Sequence, residues 1–204
     1  VLDEADEMLN MGFKEDIDSI LDSTPEEKSV WLFSATMPKE IKSLADKFLS
    51  NPKEITVSKP ASTADTITQA LIKLRATSKA PGAAQKVKRD RLRTLIAEQD
   101  ELTNALVFCN RKRDADVVYR SREKHGLSAA RLHGDMVQSV RMDTLDKFKN
   151  NEVKILVCSD VAARGLDIST VSHVFNFDIP THAEDYVHRI GRTGRAGRSG
   201  RAFT

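Results

Sequence analysis

The sequence predicts an α/β fold in which a parallel sheet carries helices on both faces. Three observations lead there. From residue 105 onward, apolar strand-like runs at Ala105–Cys109, Ala129–Leu132, 155–158 and 174–177 alternate with helical stretches, and strict alternation of this kind builds parallel sheets. Each run leads into a polar segment, such as Asn110-Arg111-Lys112-Arg113, His133-Gly134-Asp135 or Ser159-Asp160. In such sheets the loops after the strands share one edge, which is the binding edge. The composition, 40% hydrophobic and 30% charged, belongs to a globular chain and not a disordered one.

Val1-Leu2 reads as the tail of a strand running into Asp3-Glu4-Ala5-Asp6. A carboxylate at that position holds Mg²⁺ in nucleotide hydrolases, usually through water; equally, Asp6 caps a helix through Glu7-Met8-Leu9. Both readings stand at this point. Ile17, Ile20 and Leu21 mark the inner face of a helix, and 30–33 reads as a fully buried strand ending in Ser34-Ala35-Thr36. Pro38 opens a helix whose Ile41, Leu44, Ala45, Phe48 and Leu49 fit one apolar stripe. Residues 55–57 read as a closing strand.

Residues 58–65 have linker composition, with Pro60 among small polar residues. The expected domains are 1–57, the last part of a first domain, and 66–204, a second one. Residues 68–74 resume with a strand, and 75–86 read as an exposed excursion around Pro81-Gly82. Val87, Leu92, Leu95 and Ile96 then form the inner face of a helix with a basic outer face. Gly126 ends the helix after Ala105–Cys109, and a helix around 183–189 follows the strand at 174–177. Along the binding edge, Arg111, Lys112, Asp135, Gln138, Arg141, Asp160 and Arg164 converge.

The run 188–201 places arginine at 189, 192, 195, 198 and 201 and glycine at 191, 194, 197 and 200, with no acid among them. One reading is a solvated basic loop. The sharper one is an anion site, since glycine admits close backbone approach and guanidinium forks grip phosphate in pairs of hydrogen bonds.

Lys+Arg 32 against Asp+Glu 30 leaves a net charge of +2, so basicity is local. No apolar run reaches the roughly 20 residues of a membrane span, and no secretory leader opens the sequence. Cys109 and Cys158 each end a strand-like run, which suits buried thiols in a reducing cytoplasm. No Cys-x-x-Cys pair suggests zinc. With 5% aromatic residues, stacking platforms for bases are few.

Taken together and in order, Asp3-Glu4-Ala5-Asp6, Ser34-Ala35-Thr36, His133-Gly134-Asp135 with Gln138-x-x-Arg141, 160–167 and 188–195 resemble the motifs of the DEAD-box RNA helicases. The resemblance spans essentially the whole chain, and a bacterial member is the expectation. It implies a RecA-like fold, ATP and Mg²⁺ as ligands, and RNA, single-stranded or in short duplexes, as a sequence-independent partner. It also implies roles. Asp3 holds Mg²⁺ and Glu4 positions the attacking water. Asp6, Ser34, Thr36 and His188 link the ATP site to the RNA site. Gly165 and Asp167 contact the nucleotide, with Asp167 on the ribose. Arg192 and Arg195 are arginine fingers. Arg111, Gly134, Gln138, Arg141, Ser159 and Arg164 face RNA.

Two residues depart from the family pattern, Arg111 and Ser159 standing where threonine is usual. The family's phosphate-binding loop does not occur in the 204 residues, so this chain is expected to be a piece of a longer enzyme and inactive alone. Two alternatives remain at this level: an RNA-binding or regulatory module without a nucleotide site, and a DNA-directed relative. Backbone contacts carry no base information and release counterions. Arg111→Thr is therefore expected to lower RNA affinity and flatten its salt dependence, measured by RNA titration at several salt concentrations.

Overall fold

The computed structural model describes residues 1–56, 65–76, 78, 80–123, 128–163, 168 and 171–204. The chain divides into two compact units, Val1–Ser62 and Thr63–Thr204. Most of the expected linker, 58–64, lies outside the described residues, as does Gly126.

Among its described residues the first unit holds three helices, α1 (Ala5–Asn10), α2 (Lys14–Asp22) and α3 (Lys39–Phe48). Ile17, Leu21 and Leu44 form its core, with Leu2, Met8, Leu9, Leu32 and Phe48 packed around them. On α2 the buried pair is Ile17 and Leu21, four residues apart on one helix face. Ile20 falls outside that stripe and is 62% exposed, correcting its assignment to the inner face. The segment 30–33 is likewise not a fully buried strand. Only Leu2 and Leu32 pair, in parallel. Leu32 faces the core, whereas Trp31 and Phe33 are exposed and stack at 6.4 Å. Side chains alternate across an extended segment, and among the described residues one face alone is packed. Ile55 and Thr56 are irregular, with Ile55 76% exposed. The strand expected at 55–57 is therefore absent from its described part.

Among its described residues the second unit is built on six strands: β1 (Ile67–Ala70), β2 (Ala105–Cys109), β3 (Ala129–Leu132), β4 (Ile155–Ser159), β5 (His173–Asn176) and β6 (Gly200–Phe203). They form one sheet in the order β1-β6-β5-β2-β4-β3, with every pair parallel. The helices are α4 (Ala83–Ala97), α5 (Lys112–Glu123), α6 (Gln138–Lys149), α7 (Asp160–Ala163) and α8 (Ala183–Ile190). Period-two alternation sends Leu106, Phe108, Leu156, Cys158 and Val174 to one face, beneath Leu145, Phe148 and Ile190. Ala105, Val107, Cys109, Ile155, Val157 and Phe175 go to the other, against Leu92, Leu95, Ile96, Ala115 and Val118. Helices thus cover both faces, as the alternation predicted. Cys109 and Cys158 are free and buried on opposite faces, and burial pushes both thiols up.

Two boundaries move. β1 stops at Ala70, and α4 begins at Ala83, inside the expected excursion. Gly82 takes a positive φ of 80° at the residue before the helix, a conformation that favours glycine.

His173 is buried on β5 beside the rings of Phe175 and Phe203, at centroid distances of 6.1 and 6.3 Å, with Nδ1 2.9 Å from the Ser172 hydroxyl. Burial, reinforced by the charge of Arg201, holds the imidazole below its ordinary pKa. The neutral form is favoured in the fold, so its contribution is present above about pH 6.5 and is lost as pH falls through the folded value. Replacing the ring with Phe removes that titration. Urea unfolding across pH 5–7 should show wild-type stability falling more steeply with acid than that of His173→Phe.

Candidate functional site

In the first unit the pairing of Leu2 with Leu32 decides where the acidic tetrad lies. Leu2 N–H donates to Trp31 O (2.7 Å), Phe33 N–H to Leu2 O (2.8 Å) and Ala5 N–H to Phe33 O (3.0 Å). Two extended segments therefore end side by side, and Asp3–Asp6 emerges next to Ser34–Thr36. Asp6, at 5% exposure, is built in. Its Oδ2 accepts from the backbone N–H of Thr36 (2.8 Å) and from the Thr36 hydroxyl (2.7 Å), and its Oδ1 accepts from Glu7 N–H (3.1 Å). Ser34 donates its hydroxyl to Thr36 O at 2.6 Å. Burial alone pushes the Asp6 carboxyl up; the bonds from Thr36, with Ser34 and Glu7, outweigh it and hold the group below its usual value. The reading of Asp6 as a helix cap is corrected: α1 starts at Ala5 with Glu4 in the capping position and no side-chain cap, so Asp6 lies within the first turn and ties α1 to the Ser34–Thr36 turn.

Asp3 and Glu4 are exposed, and Glu4 sits in the left-handed region at φ 52°, ψ 44°, its N–H donating to Asp3 Oδ1 at 2.9 Å. Strain of this kind in a non-glycine residue gathers at functional sites. Asp3 and Glu4 present hard oxygen donors to solvent. That fits Mg²⁺, which keeps several waters and is held by one or two carboxylates plus substrate phosphate.

In the second unit the expected RNA-facing residues follow the carboxyl ends of the strands. Arg111 is exposed after β2; Gly134 is exposed after β3, with open space around its Cα. Lys112 donates to Asp135 at 2.6 Å, joining those two loops. Gln138 opens α6 and is exposed, while Arg141 one turn on is half-buried, its Nε enclosed without a hydrogen-bond partner. Ser159 ends β4. Arg164, Gly165 and Asp167 lie outside the described residues.

The arginine run divides by position. His188 is half-buried on α8, Arg192 is half-buried just beyond it, and Arg195 is exposed with its Nε donating to Gly191 O. Arg198 is exposed. Arg201 lies in β6 and pairs with Glu101 at 3.0 Å, so it does not belong to the same cluster. Several of the glycines serve the fold instead of a ligand. A Cβ on Gly194 would meet Ile67, a Cβ on Gly200 would collide with Thr193, and one on Gly191 would press on Val187 O at 2.9 Å. The segment threads tightly past its own neighbours.

Arg189 was not singled out in the sequence. It is 2% exposed, and its Nε and Nη2 donate to the two carboxylate oxygens of Asp160, both at 2.6 Å. Its Nη1 donates to Asp178 O and its Nη2 also to Asn110 Oδ1, again at 2.6 Å. The guanidinium lies 5.3 Å from the Phe108 ring centroid. Asn110, Asp160 and Asp178 follow β2, β4 and β5, the three adjacent central strands. Helical phase was the one available signal, since Arg189 stands beside Ile190 and three residues after Tyr186, on the face that packs against the sheet.

Comparison with known proteins bears on this arrangement. The family model for the helicase conserved C-terminal domain matches residues 87–197, and that for DEAD/DEAH box helicases matches residues 1–44. The chain belongs to the DEAD-box helicase family, and its sheet is RecA-like. Among relatives, it is 48% identical over 194 residues to the ATP-dependent RNA helicase CshA of Limosilactobacillus reuteri, covering 95% of this chain and 37% of that protein. It is 46% identical over 205 residues to the DEAD-box ATP-dependent RNA helicase CshA of Bacillus subtilis, covering 100% of this chain and 39% of that protein. The chain thus spans about two fifths of the length of these curated relatives. Among solved structures, S. cerevisiae Dbp5 bound to RNA and ADP BeF3 matches with TM-score 0.83 at 32% identity, over 99% of this chain and 51% of that one. The C-terminal domain of the DEAD-box protein Dbp5 matches with TM-score 0.59 at 34% identity, over 68% of this chain and 76% of that one.

Thr36→Val removes a donor from the buried Asp6 carboxylate and should destabilise the first unit by about 1–3 kcal/mol, read by denaturant melting. Because the bonds hold Asp6 low, their contribution is complete above about pH 4 and disappears as pH falls through the folded value. The difference between wild type and Thr36→Val should therefore shrink in acid.

Proposed function

We propose that this protein couples ATP hydrolysis to RNA binding and to local separation of short RNA duplexes. The observation that carries the reading is the division within one arginine run. Arg189 is consumed inside the fold, whereas Arg195 stays at the surface and Arg192 at its margin. An arginine aimed at a terminal phosphate stabilises the charge that develops in phosphoryl transfer. Family membership and similarity to an RNA- and nucleotide-bound relative support the same reading.

Asp3 would hold Mg²⁺, and Glu4 would orient the water that attacks. The metal ion, when bound, neutralises charge on the phosphates. Asp6, Ser34, Thr36 and His188 keep the nucleotide-facing and RNA-facing loops in step. Gly165 and Asp167 contact the nucleotide, and Arg192 and Arg195 act on its terminal phosphate. Arg111, Gly134, Gln138, Arg141, Ser159 and Arg164 hold RNA phosphates, so binding follows charge and not base sequence. Residues 1–57 and 66–204 act as separate domains about a linker at 58–65. Placing the two arginines on a different domain from Asp3 and Glu4 makes turnover depend on closure, which RNA favours. A reducing cytoplasm suits the two buried thiols.

The test is ATP hydrolysis with and without single-stranded RNA, on the complete gene product and on the 204-residue chain. The complete product should turn over ATP faster with RNA, and Arg195→Ala should lower its rate by about 10³–10⁵. The 204-residue chain, whose sequence holds no Gly-rich loop ending in Lys-Ser/Thr, should be silent. A complete product that binds RNA without hydrolysing ATP would make this an RNA-binding module.

A further inference from the structure

We propose that Arg189 is a positioning residue that transmits the state of the loop after β4 to Arg192 and Arg195. This inference rests on the function proposed above. At 2% exposure Arg189 reaches neither RNA nor nucleotide, so whatever it does is done through its partners. Those partners are chemically specific. Asp160 takes two of its hydrogen bonds in the paired, coplanar arrangement that a guanidinium and a carboxylate form. Asn110 and the Asp178 carbonyl take two more.

On one side of this junction lies the RNA-facing surface. Asp160 opens α7 directly after Ser159, and Asn110 directly precedes Arg111. On the other side lies the finger segment. Arg189 O accepts the N–H of Arg192 (3.2 Å), Ile190 O accepts that of Thr193 (3.0 Å), and Gly191 O accepts the Nε of Arg195. The charges of both Arg189 and Arg192 act on the Cys158 thiol, which puts Arg192 within electrostatic reach of the end of β4. Thr193 is pinned by its hydroxyl to Val171 O and Ser172 O, and a Cβ on Gly191 would press on Val187 O. The segment between Arg189 and Arg195 therefore has little freedom to move apart from the last turn of α8.

A guanidinium bound through two of its edges transmits orientation as well as charge. A shift of Asp160 turns the fork, and the fork turns the helix end that carries the two arginines. A lysine supplies the charge as a point, without the plane. The same contacts leave Asp178 to hold Lys88 at 2.5 Å and the Asn110 N–H at 3.2 Å, so the junction is braced at the end of a third strand.

Arg189→Lys and Asn110→Ala, made in the complete gene product, test this. Asn110 is exposed, and its replacement removes one of the hydrogen bonds of Arg189 while leaving the Asp160 pair. With a short oligouridylate as RNA, both variants should keep affinities for RNA and ADP within about threefold of wild type. Their kcat at saturating RNA should fall, by about tenfold for Arg189→Lys and less for Asn110→Ala, with KM for ATP little changed. A purely structural role would lower melting temperature without this split. RNA-stimulated kcat within about twofold of wild type in folded Arg189→Lys overturns the proposal; should that variant fail to melt cooperatively, the same result for Asn110→Ala overturns it.

A wild-type protein without RNA-stimulated turnover would sink the function proposed above instead. The junction is then decided by amide exchange in the 204-residue chain. Asn110→Ala should speed exchange at Arg192 and Thr193 by about tenfold while leaving β3 unchanged. Unaltered exchange at both amides overturns the coupling.

Discussion

A charged side chain sealed among strands is stable only when its polar groups are paired, and each nitrogen of the Arg189 guanidinium finds an acceptor by drawing on three different strand ends. The requirement runs both ways. Asp160, Asn110 and the Asp178 carbonyl must all stand within reach of one planar group, which sets the relative heights at which β4, β2 and β5 give way to loops. The guanidinium also lies near the face of Phe108, so its apolar side is packed as well as its edges. Much of the geometry of the carboxyl edge follows from that one group. The starts of the loops after β2, β4 and β5 are arranged around it.

A second constraint acts on the glycines of the same segment. Gly194 lies against Ile67 and Thr66, with its carbonyl accepting the Thr66 hydroxyl at 2.7 Å, and Gly200 lies against Thr193. β1 and β6 are neighbours in the sheet, so the chain must pass between a helix end and a strand with no room for side chains. Glycine is needed there for space and, at Gly194, for its φ of +68°. Arginines that cannot point inward along such a path are left at the surface. The alternation of the two residues thus reflects a narrow passage.

The first unit shows the same economy on a smaller scale. Its acidic tetrad divides into an inner and an outer part. Asp6 is enclosed and bonded to Thr36, while Asp3 and Glu4 face solvent. The inner carboxylate fixes the turn at Ser34–Thr36, and the outer two remain available for chemistry. Glu4 adopts left-handed geometry at the step into α1.

What the sequence determined by itself was whatever local periodicity and order can express. Strand–helix alternation sufficed for a parallel sheet covered on both faces, because burial on two faces demands apolar runs and the crossovers demand helices. Motif order sufficed for the family. Tertiary structure decided the rest, wherever the answer depended on which surface a residue meets. Ile20 and Trp31 are as apolar as their buried neighbours, and only the packed side of the first unit distinguishes them. Five arginines at one spacing look alike in sequence. One is buried at the junction of three strands, one is paired within β6, and the others lie at or near the surface, because identity at a spacing carries no information about the partners that folding brings from 29 and 79 residues away.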